Sequence, residues 1–144
     1  MQQKSHSRFS QNTLPRLGFV GLGNMGAALA MRLVGQPLSV FDSDLEKSAI
    51  FAKKNVTVAT SLGELAANSD IIFTCLPTSD VTEMVVFGPH GLAPHLSPNH
   101  IIVDMTSGDP EQSRDQAARL ASDGVSFADA PVSGGPRGAR EGVI

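Results

Sequence analysis

The sequence predicts an α/β fold, a doubly wound and mainly parallel sheet with helices on both faces, and two observations lead to it. Short apolar runs alternate with helical patterns along most of the 144 residues. The runs are nearly continuous rather than alternating, which is typical of strands covered on both faces of a parallel sheet. Repeated strand–helix units with short loops predict right-handed crossovers. The six predicted strands are Leu17–Gly21, Leu38–Phe41, Val56–Val58, Ile71–Leu76, Ile101–Val103 and Ser126–Ala130.

The helical segments between these strands begin with recognisable start signals. Ser43–Glu46 ("SDLE") and Ser61–Glu64 ("SLGE") match the capping box, and Asp109 is followed by a proline at the first helical position. The segment 87–100, rich in Pro, Gly and His, is predicted to be a surface connection. The five predicted helices are Met25–Val34, Asp44–Lys53, Leu62–Ala67, Asp80–Val86 and Pro110–Ser122.

The composition predicts one soluble domain, at residues 17–144, after a polar and disordered extension at residues 1–16. A net charge of −3 argues against a nucleic acid or an anionic membrane as partner. Cys75 is the single cysteine, which excludes an intramolecular disulfide and favours a reducing compartment, the cytoplasm. The start of the chain contains Arg and Ser but no acidic residue, which leaves organelle import open.

The glycine-rich stretch "GLGNMG" lies where the first strand passes into the first helix, the context in which G-x-G-x-x-G indicates a dinucleotide site of the Rossmann type. Gly21 allows a tight turn, Gly23 lets a pyrophosphate approach the backbone, and Gly26 lets the helix pack closely on the sheet. With Leu22, Asn24 and Met25 these glycines are the first predicted cofactor-binding residues. A glycine-rich turn without a ligand is the alternative.

Asp42 ends the second predicted strand, 21 positions after Gly21. A carboxylate at this place takes the ribose hydroxyls of NAD, whereas NADP requires a basic residue nearby for its extra phosphate. Ser43 and Asp44 supply no base, so NAD is predicted rather than NADP. The alternative is that Asp42 merely begins the turn into the second helix.

Four segments carry a resemblance to a known family: "FVGLGNMG", "CLPTSDV", "VDMTSGDP" and above all "DAPVSGGPRGA". In order and spacing they resemble the β-hydroxyacid dehydrogenase family, which includes 3-hydroxyisobutyrate dehydrogenase and, more distantly, 6-phosphogluconate dehydrogenase. The resemblance implies the cofactor domain of an NAD(P)-dependent oxidoreductase that interconverts a β-hydroxyacid and its semialdehyde or keto form. It also implies a small-molecule substrate and, in family members, homo-oligomers.

The resemblance assigns further residues to the site. It implies that the cofactor is contacted by Leu76 and Pro77 and, beside the nicotinamide ribose, by Thr106 and Ser107, and that the substrate carboxylate is held by Ser133, Gly134 and Gly135. A hydroxyl and exposed glycine amides are good donors for a carboxylate. The residues alone leave plainer alternatives open: a proline that ends a strand, two turn formers and an ordinary loop.

The family's catalytic lysine has no counterpart here. The resemblance implies a further strand, a connecting helix that carries this lysine, and a separate helical domain. The lysines of this chain lie elsewhere, at Lys4, Lys47, Lys53 and Lys54. The chain is therefore expected to be truncated after its cofactor domain, without catalytic residues of its own and inactive alone. A non-catalytic dinucleotide-binding module, an inactive truncated product, and a reductase of imines, glyoxylate or succinic semialdehyde are the alternatives.

The histidines do not predict a metal site. His90, His95 and His100 are five residues apart, so they do not share one face of a helix, and no carboxylate or cysteine joins them at ligand spacing. We therefore expect solvated loop histidines and no metal.

Overall fold

The computed structural model describes residues 13–144, so most of the predicted extension, residues 1–12, lies outside the described residues. The described residues form a six-stranded, all-parallel sheet in the order β3-β2-β1-β4-β5-β6. The fold class predicted from the sequence is confirmed. The strands are β1 Leu17–Val20, β2 Leu38–Phe41, β3 Thr57–Val58, β4 Ile71–Thr74, β5 Ile101–Asp104 and β6 Ser126–Asp129.

Helices connect these strands and enclose a core on each face of the sheet. Phe19 and Val20 are neighbours in β1, yet they belong to two different clusters of buried apolar side chains. This alternation is the expected result of a strand covered on both sides. None of the helices within residues 13–144 has the length and hydrophobicity needed to cross a bilayer. The helices are α1 Asn24–Met31, α2 Leu45–Ala52, α3 Leu62–Ala67, α4 Ser79–Phe87, α5 Pro110–Ser122 and α6 Gly135–Glu141.

The strand order reverses direction between β1 and β4, which places a crevice at the carboxyl ends of these two strands. Val20 pairs with Phe41 on one side and with Thr74 on the other, and Thr74 pairs in turn with Asp104. The four central strands therefore end at the same level. Their loops leave the sheet side by side and enclose a common space.

An ion pair joins the amino ends of β1 and β4, which lie at the side of the sheet opposite the crevice. The Arg16 amide donates to Asp70 Oδ2 at 2.8 Å, and its guanidinium Nη2 donates to Asp70 Oδ1 at 2.7 Å. This guanidinium lowers the pKa of the Asp70 carboxyl. The contact fixes the start of β1 against β4, at the edge of the sheet away from the crevice.

Side-chain caps begin four of the helices. Asp109 accepts from the Glu111 amide, and Ser61 accepts from the Glu64 amide as the capping box predicts. The capping box predicted to begin at Ser43 is wrong, because the N-cap residue lies one position later. Asp44 is the cap of α2 and accepts from the Glu46 amide, because the aspartate carboxylate reaches the N2 amide directly. The fourth cap, on α4, is a threonine that the sequence analysis did not use as a start signal, Thr78.

Two connections differ from their prediction. The segment 87–100 is a surface connection only in part, because the side chain of Leu92 is completely buried in the core. The segment from Gly135, predicted as a loop, begins the helix α6. Its start at Gly134 has φ +103°, a conformation natural to glycine, and its buried residues are Gly138 and Ala139. Packing against α1 stabilises this helix, which its own glycines and proline do not predict.

The turn from β1 into α1 is built on contact between two glycines. Gly21 has φ +95°, and a Cβ atom there would collide with the Cys75 carbonyl oxygen. A Cβ on Gly26 would collide with the Gly21 carbonyl oxygen in the same way. Gly23 has φ −65° and no atom within 4 Å of the Cβ position. The first and third glycines are therefore required for packing, whereas the second leaves open space.

We expect Gly26→Ala to lower the free energy of unfolding by about 1–3 kcal/mol, since the added methyl group meets a rigid main-chain oxygen. Urea unfolding followed by circular dichroism measures this change. Gly23→Ala is the matched control and should change stability by less than about 1 kcal/mol, the scale of a poorer N-cap. Equal losses for both variants would contradict the assignment of these two glycines.

Candidate functional site

A cleft of ≈ 390 Å³ lies at the carboxyl ends of β1, β2 and β4, at the crevice that the strand order creates. It brings together most of the cofactor-binding residues predicted from the sequence. Its lining includes the glycine loop, the end of β2 and the residues that follow β4. The predicted residues among its walls are Gly21, Gly23, Asn24, Met25, Gly26, Asp42, Leu76 and Pro77.

The amino end of α1 opens onto this cleft. Gly23 is the N-cap residue, no side chain caps the helix, and no acidic residue lies in its first turn. Gly23 and Asn24 are exposed to solvent. Uncapped amides and the positive end of a helix dipole attract an anion, and the missing side chain of Gly23 lets the anion come close.

Asp42 is held in a fixed orientation across the glycine loop. Its Oδ2 atom accepts from the Leu22 amide at 2.7 Å, and its Oδ1 atom accepts from the Asp44 amide at 2.8 Å. The second of these bonds agrees with the alternative that Asp42 begins the turn into α2. Each carboxylate oxygen still has a lone pair for an outside donor. The group is thus oriented to accept hydrogen bonds from the hydroxyls of a ligand in the cleft.

Lys47 also lines the cleft, and the sequence analysis missed it. The search for a basic partner of Asp42 stopped at positions 43 and 44. Lys47 is the third residue of α2, so it lies in the first turn of the helix that follows β2, close to the end of that strand. A search for basic residues that extends through the first turn of the helix after β2 finds it.

Apart from Ser43, the remaining walls of the cleft are mostly apolar. They include Phe41 at the end of β2 and Val81 and Val85 of α4. Cys75, the residue that follows β4, also lines the cleft. Burial raises the pKa of the Cys75 thiol, and the negative charge of Asp104 raises it further. The thiol is therefore held in its neutral form.

Leu22, whose side chain is buried in the core, and two other groups of predicted residues lie outside the lining of this cleft. Thr106 is buried, and its Oγ1 atom accepts from the Leu76 amide at 3.0 Å, whereas Ser107 is exposed. Ser133 and Gly134 are exposed ahead of α6, and Gly135 is its first residue. The structure thus links Thr106 to the cleft through Leu76, but it does not bring the last three residues into it.

The histidines make separate local contacts. His100 Nδ1 accepts from the Ser97 amide at 2.8 Å, and its Nε2 atom lies 3.1 Å from the Ala66 carbonyl oxygen. His95 packs its ring on Gly63 of α3. Residues 13–144 contain no group of three or more His, Cys, Asp or Glu side chains arranged to hold a metal ion.

Residues 16–144 match the family model described as the NAD binding domain of 6-phosphogluconate dehydrogenase. A curated relative, 2-(hydroxymethyl)glutarate dehydrogenase of Eubacterium barkeri, is 36% identical over 131 residues, which cover 90% of this chain and 44% of the relative. The chain thus spans less than half of the length of this relative. The match runs through the glycine loop, the end of β2 and the strands that enclose the cleft.

Two solved structures share the fold. The 3-hydroxyisobutyrate dehydrogenase of Mycobacterium tuberculosis, solved with L-serine, superposes with a TM-score of 0.79 at 31% identity, over 90% of this chain and 44% of that one. Psf3, solved in complex with NADP+ and 2-OPP, gives a TM-score of 0.83 at 30% identity, over 88% of this chain and 45% of that one. The similarity again covers less than half of each longer chain.

The raised pKa of Cys75 leads to a test of the cleft geometry. We expect alkylation of this single cysteine by iodoacetamide to reach its half-maximal rate at a higher pH in the folded chain than in the unfolded one, because burial disfavours the reactive thiolate. Rates measured between pH 7 and pH 10 give the midpoint. The same chain unfolded in urea is the control and should titrate near the ordinary value. A folded-state midpoint at or below the control would show an exposed or activated thiol instead.

Proposed function

The chain belongs to the family of the NAD binding domain of 6-phosphogluconate dehydrogenase, and from this premise we propose that it binds NAD in the cleft beside the glycine loop. It serves as the cofactor domain of an NAD(P)-dependent oxidoreductase. The enzyme interconverts a β-hydroxyacid and its semialdehyde or keto form. The observation that carries the proposal is the bond from the Leu22 amide to Asp42, which joins a carboxylate to an open glycine loop.

The ends of the cleft suit the two ends of an adenosine diphosphate group. Asp42 accepts hydrogen bonds from the ribose hydroxyls, and the uncapped end of α1 faces the diphosphate across the space beside Gly23. Phe41, Val81 and Val85 offer apolar contact to the adenine ring. The fit rests on side chains already oriented within the protein, so little ordering is needed on binding.

Hydride transfer is the chemistry that the nicotinamide ring supplies when bound. The residues of this chain bind and orient the cofactor for that step, with Thr106 and Ser107 proposed at the nicotinamide end. Ser133, Gly134 and Gly135 are proposed to hold the substrate carboxylate through a hydroxyl and main-chain amides. Lys47 is the single lysine in the lining of the cleft among residues 13–144, and it lies at the Asp42 end. It is poorly placed to transfer a proton at the nicotinamide.

The positions of the lysines in the described residues favour a second candidate, dinucleotide binding without turnover. Catalysis of this type needs a positioned acid or base at the reacting oxygen, which contributes about 10²–10⁴ in rate. The lysines of the described residues lie in or beside α2. We therefore propose that these 144 residues provide cofactor binding and that turnover depends on groups they do not include.

We propose NAD rather than NADP as the preferred cofactor. The Asp42 carboxylate accepts from ribose hydroxyls, but it repels a phosphate on the same ribose. Lys47 opposes this preference, because an ammonium group in the lining is a possible partner for that phosphate. The NADP+ in the Psf3 structure belongs to a relative only 30% identical, so the preference here depends on this pair of side chains.

The first test of the proposed function uses Gly23→Val. A valine at this position meets no protein atom within 4 Å of its Cβ, but it fills the space proposed for the diphosphate. We expect NADH binding, measured by calorimetric titration, to be lost while the circular dichroism spectrum stays unchanged. Wild-type affinity in this variant would mean that the glycine loop serves folding alone.

An assay of turnover accompanies that titration. NADH absorbance is followed with 3-hydroxyisobutyrate and with short semialdehydes, using the 144-residue chain. We expect cofactor binding without turnover, since the lysines of residues 13–144 lie in or beside α2, away from the proposed nicotinamide end. Turnover at rates typical of enzymes would contradict the proposal that this group lies outside these residues.

The cofactor preference is tested with Asp42→Ala and Lys47→Gln. Removing the carboxylate should weaken NADH by about 1–3 kcal/mol, the scale of hydrogen bonds to a charged group, and relax the preference against NADPH. Removing the ammonium should weaken NADPH and leave NADH nearly unchanged. Lys53→Gln is the matched control, because Lys53 caps the far end of α2. Tighter binding of NADPH than NADH by the wild-type chain would overturn the assignment.

A further inference from the structure

A buried polar network lies beneath the loops that follow β4 and β5. Thr74 and Asp104 are paired as the last residues of these strands, and Thr74 Oγ1 donates to Asp104 Oδ1 at 2.8 Å. Both side chains are almost completely buried, at 0% and 3% exposure. Asp104 forms no ion pair with any residue between 13 and 144. Burying a carboxylate without a cation costs free energy unless its hydrogen bonds offset the loss of hydration.

The network continues from Asp104 into the turn after β5. Asp104 Oδ1 also accepts from the Thr106 amide at 3.1 Å, so the carboxylate fixes the main chain of that turn. The Thr106 hydroxyl then accepts from the Leu76 amide at 3.0 Å. Thr82 of α4 lies 3.3 Å from the same hydroxyl and supports it from below. One chain of hydrogen bonds thus runs from Asp104 through Thr106 to Leu76 in the wall of the cleft.

These hydrogen bonds couple the loops after β4 and β5 into one unit, so a change in one loop also moves the other. If Asp104 loses its acceptor oxygen, the Thr106 amide is freed, and the hydroxyl that holds Leu76 moves with it. The unit lies on the β4 and β5 side of the glycine loop, whereas Asp42 lies on the β2 side. A disturbance of the unit should therefore act on one half of a bound dinucleotide and spare the other.

We propose that Asp104 is a positioning residue for the cofactor: it holds the turn after β5 and, through Thr106, the loop after β4 in the geometry that the nicotinamide half requires. The inference rests on the proposed function, because it assumes that a dinucleotide occupies the cleft. Asp104 does not line the cleft, so it acts through Thr106 and Leu76 rather than by touching the ligand.

The test compares two ligands. NADH carries both halves of the dinucleotide, whereas ADP carries only the adenosine and diphosphate proposed for the Asp42 side. We expect Asp104→Ala to weaken NADH about tenfold and ADP less than about twofold, in calorimetric titrations of the 144-residue chain. Asp104→Asn keeps the acceptor oxygen at Oδ1 and should restore NADH binding to within about threefold of the wild type.

Ser69→Ala is the matched control for a general loss of stability. Ser69 is completely buried, and its hydroxyl donates to the Leu65 carbonyl near the amino end of β4, away from the cleft. The Ser69→Ala variant should have a lower melting temperature, but its affinities for NADH and ADP should not differ in how much they change. If Asp104→Ala does not fold, the pair Thr74→Val and Thr74→Ser decides, because the serine keeps the hydroxyl that donates to Asp104 Oδ1 and the valine does not.

The outcomes separate this inference from the function on which it rests. Three outcomes would overturn the positioning role and leave the proposed function intact. Asp104→Ala could weaken ADP and NADH equally, or it could leave the binding of both unchanged. Ser69→Ala could also weaken NADH more than ADP, as Asp104→Ala is expected to do. Failure of the wild-type chain to bind either ligand would overturn both. A selective loss of NADH, restored by asparagine or, in the second pair, by serine, supports the positioning role.

Discussion

The cleft depends on how closely α1 approaches the turn that leaves β1. Gly26 lies directly against the Gly21 carbonyl, and Gly21 lies directly against the Cys75 carbonyl at the end of β4. No side chain fits at either contact, so the helix, the turn and the neighbouring strand are locked together by main-chain packing. This contact sets the position of the uncapped end of α1, and through the Leu22 amide it also sets the orientation of Asp42. The binding face of the cleft follows from it.

Among the residues that the structure describes, the lining of the cleft contains only two charged side chains. A single carboxylate, that of Asp42, is oriented by two main-chain amides, and Lys47 in the first turn of α2 carries the opposite charge. Most of the other residues in the lining are apolar. The proposed selectivity between anionic ligands thus depends on two side chains rather than on an extended charged surface, which agrees with the small net charge of the chain.

The sequence predicted the features that depend on local rules. The glycine pattern, the caps at Ser61 and Asp109 and the apolar runs are determined by neighbours in the chain, so the strands and five of the helices were found. The helix α6 was not, because packing of Gly138 and Ala139 against α1 outweighs the weak helix propensity of its residues. Lys47 and the Asp104 network were missed for a related reason. Their partners are brought close by a helical turn or by a neighbouring strand, and turn-forming residues at strand ends give no sign of such contacts.

The common level at which the central strands end has a consequence for how such domains diversify. Val20, Phe41 and Thr74 are paired in direct register, so the loops after β1, β2 and β4 each contribute one wall of the cleft from a fixed starting height. A loop that changes in sequence or length alters its own wall and leaves the others in place. Relatives that share this sheet can therefore diverge in ligand preference one loop at a time. An insertion of one residue within a strand would instead exchange the side chains on its two faces and disrupt both cores.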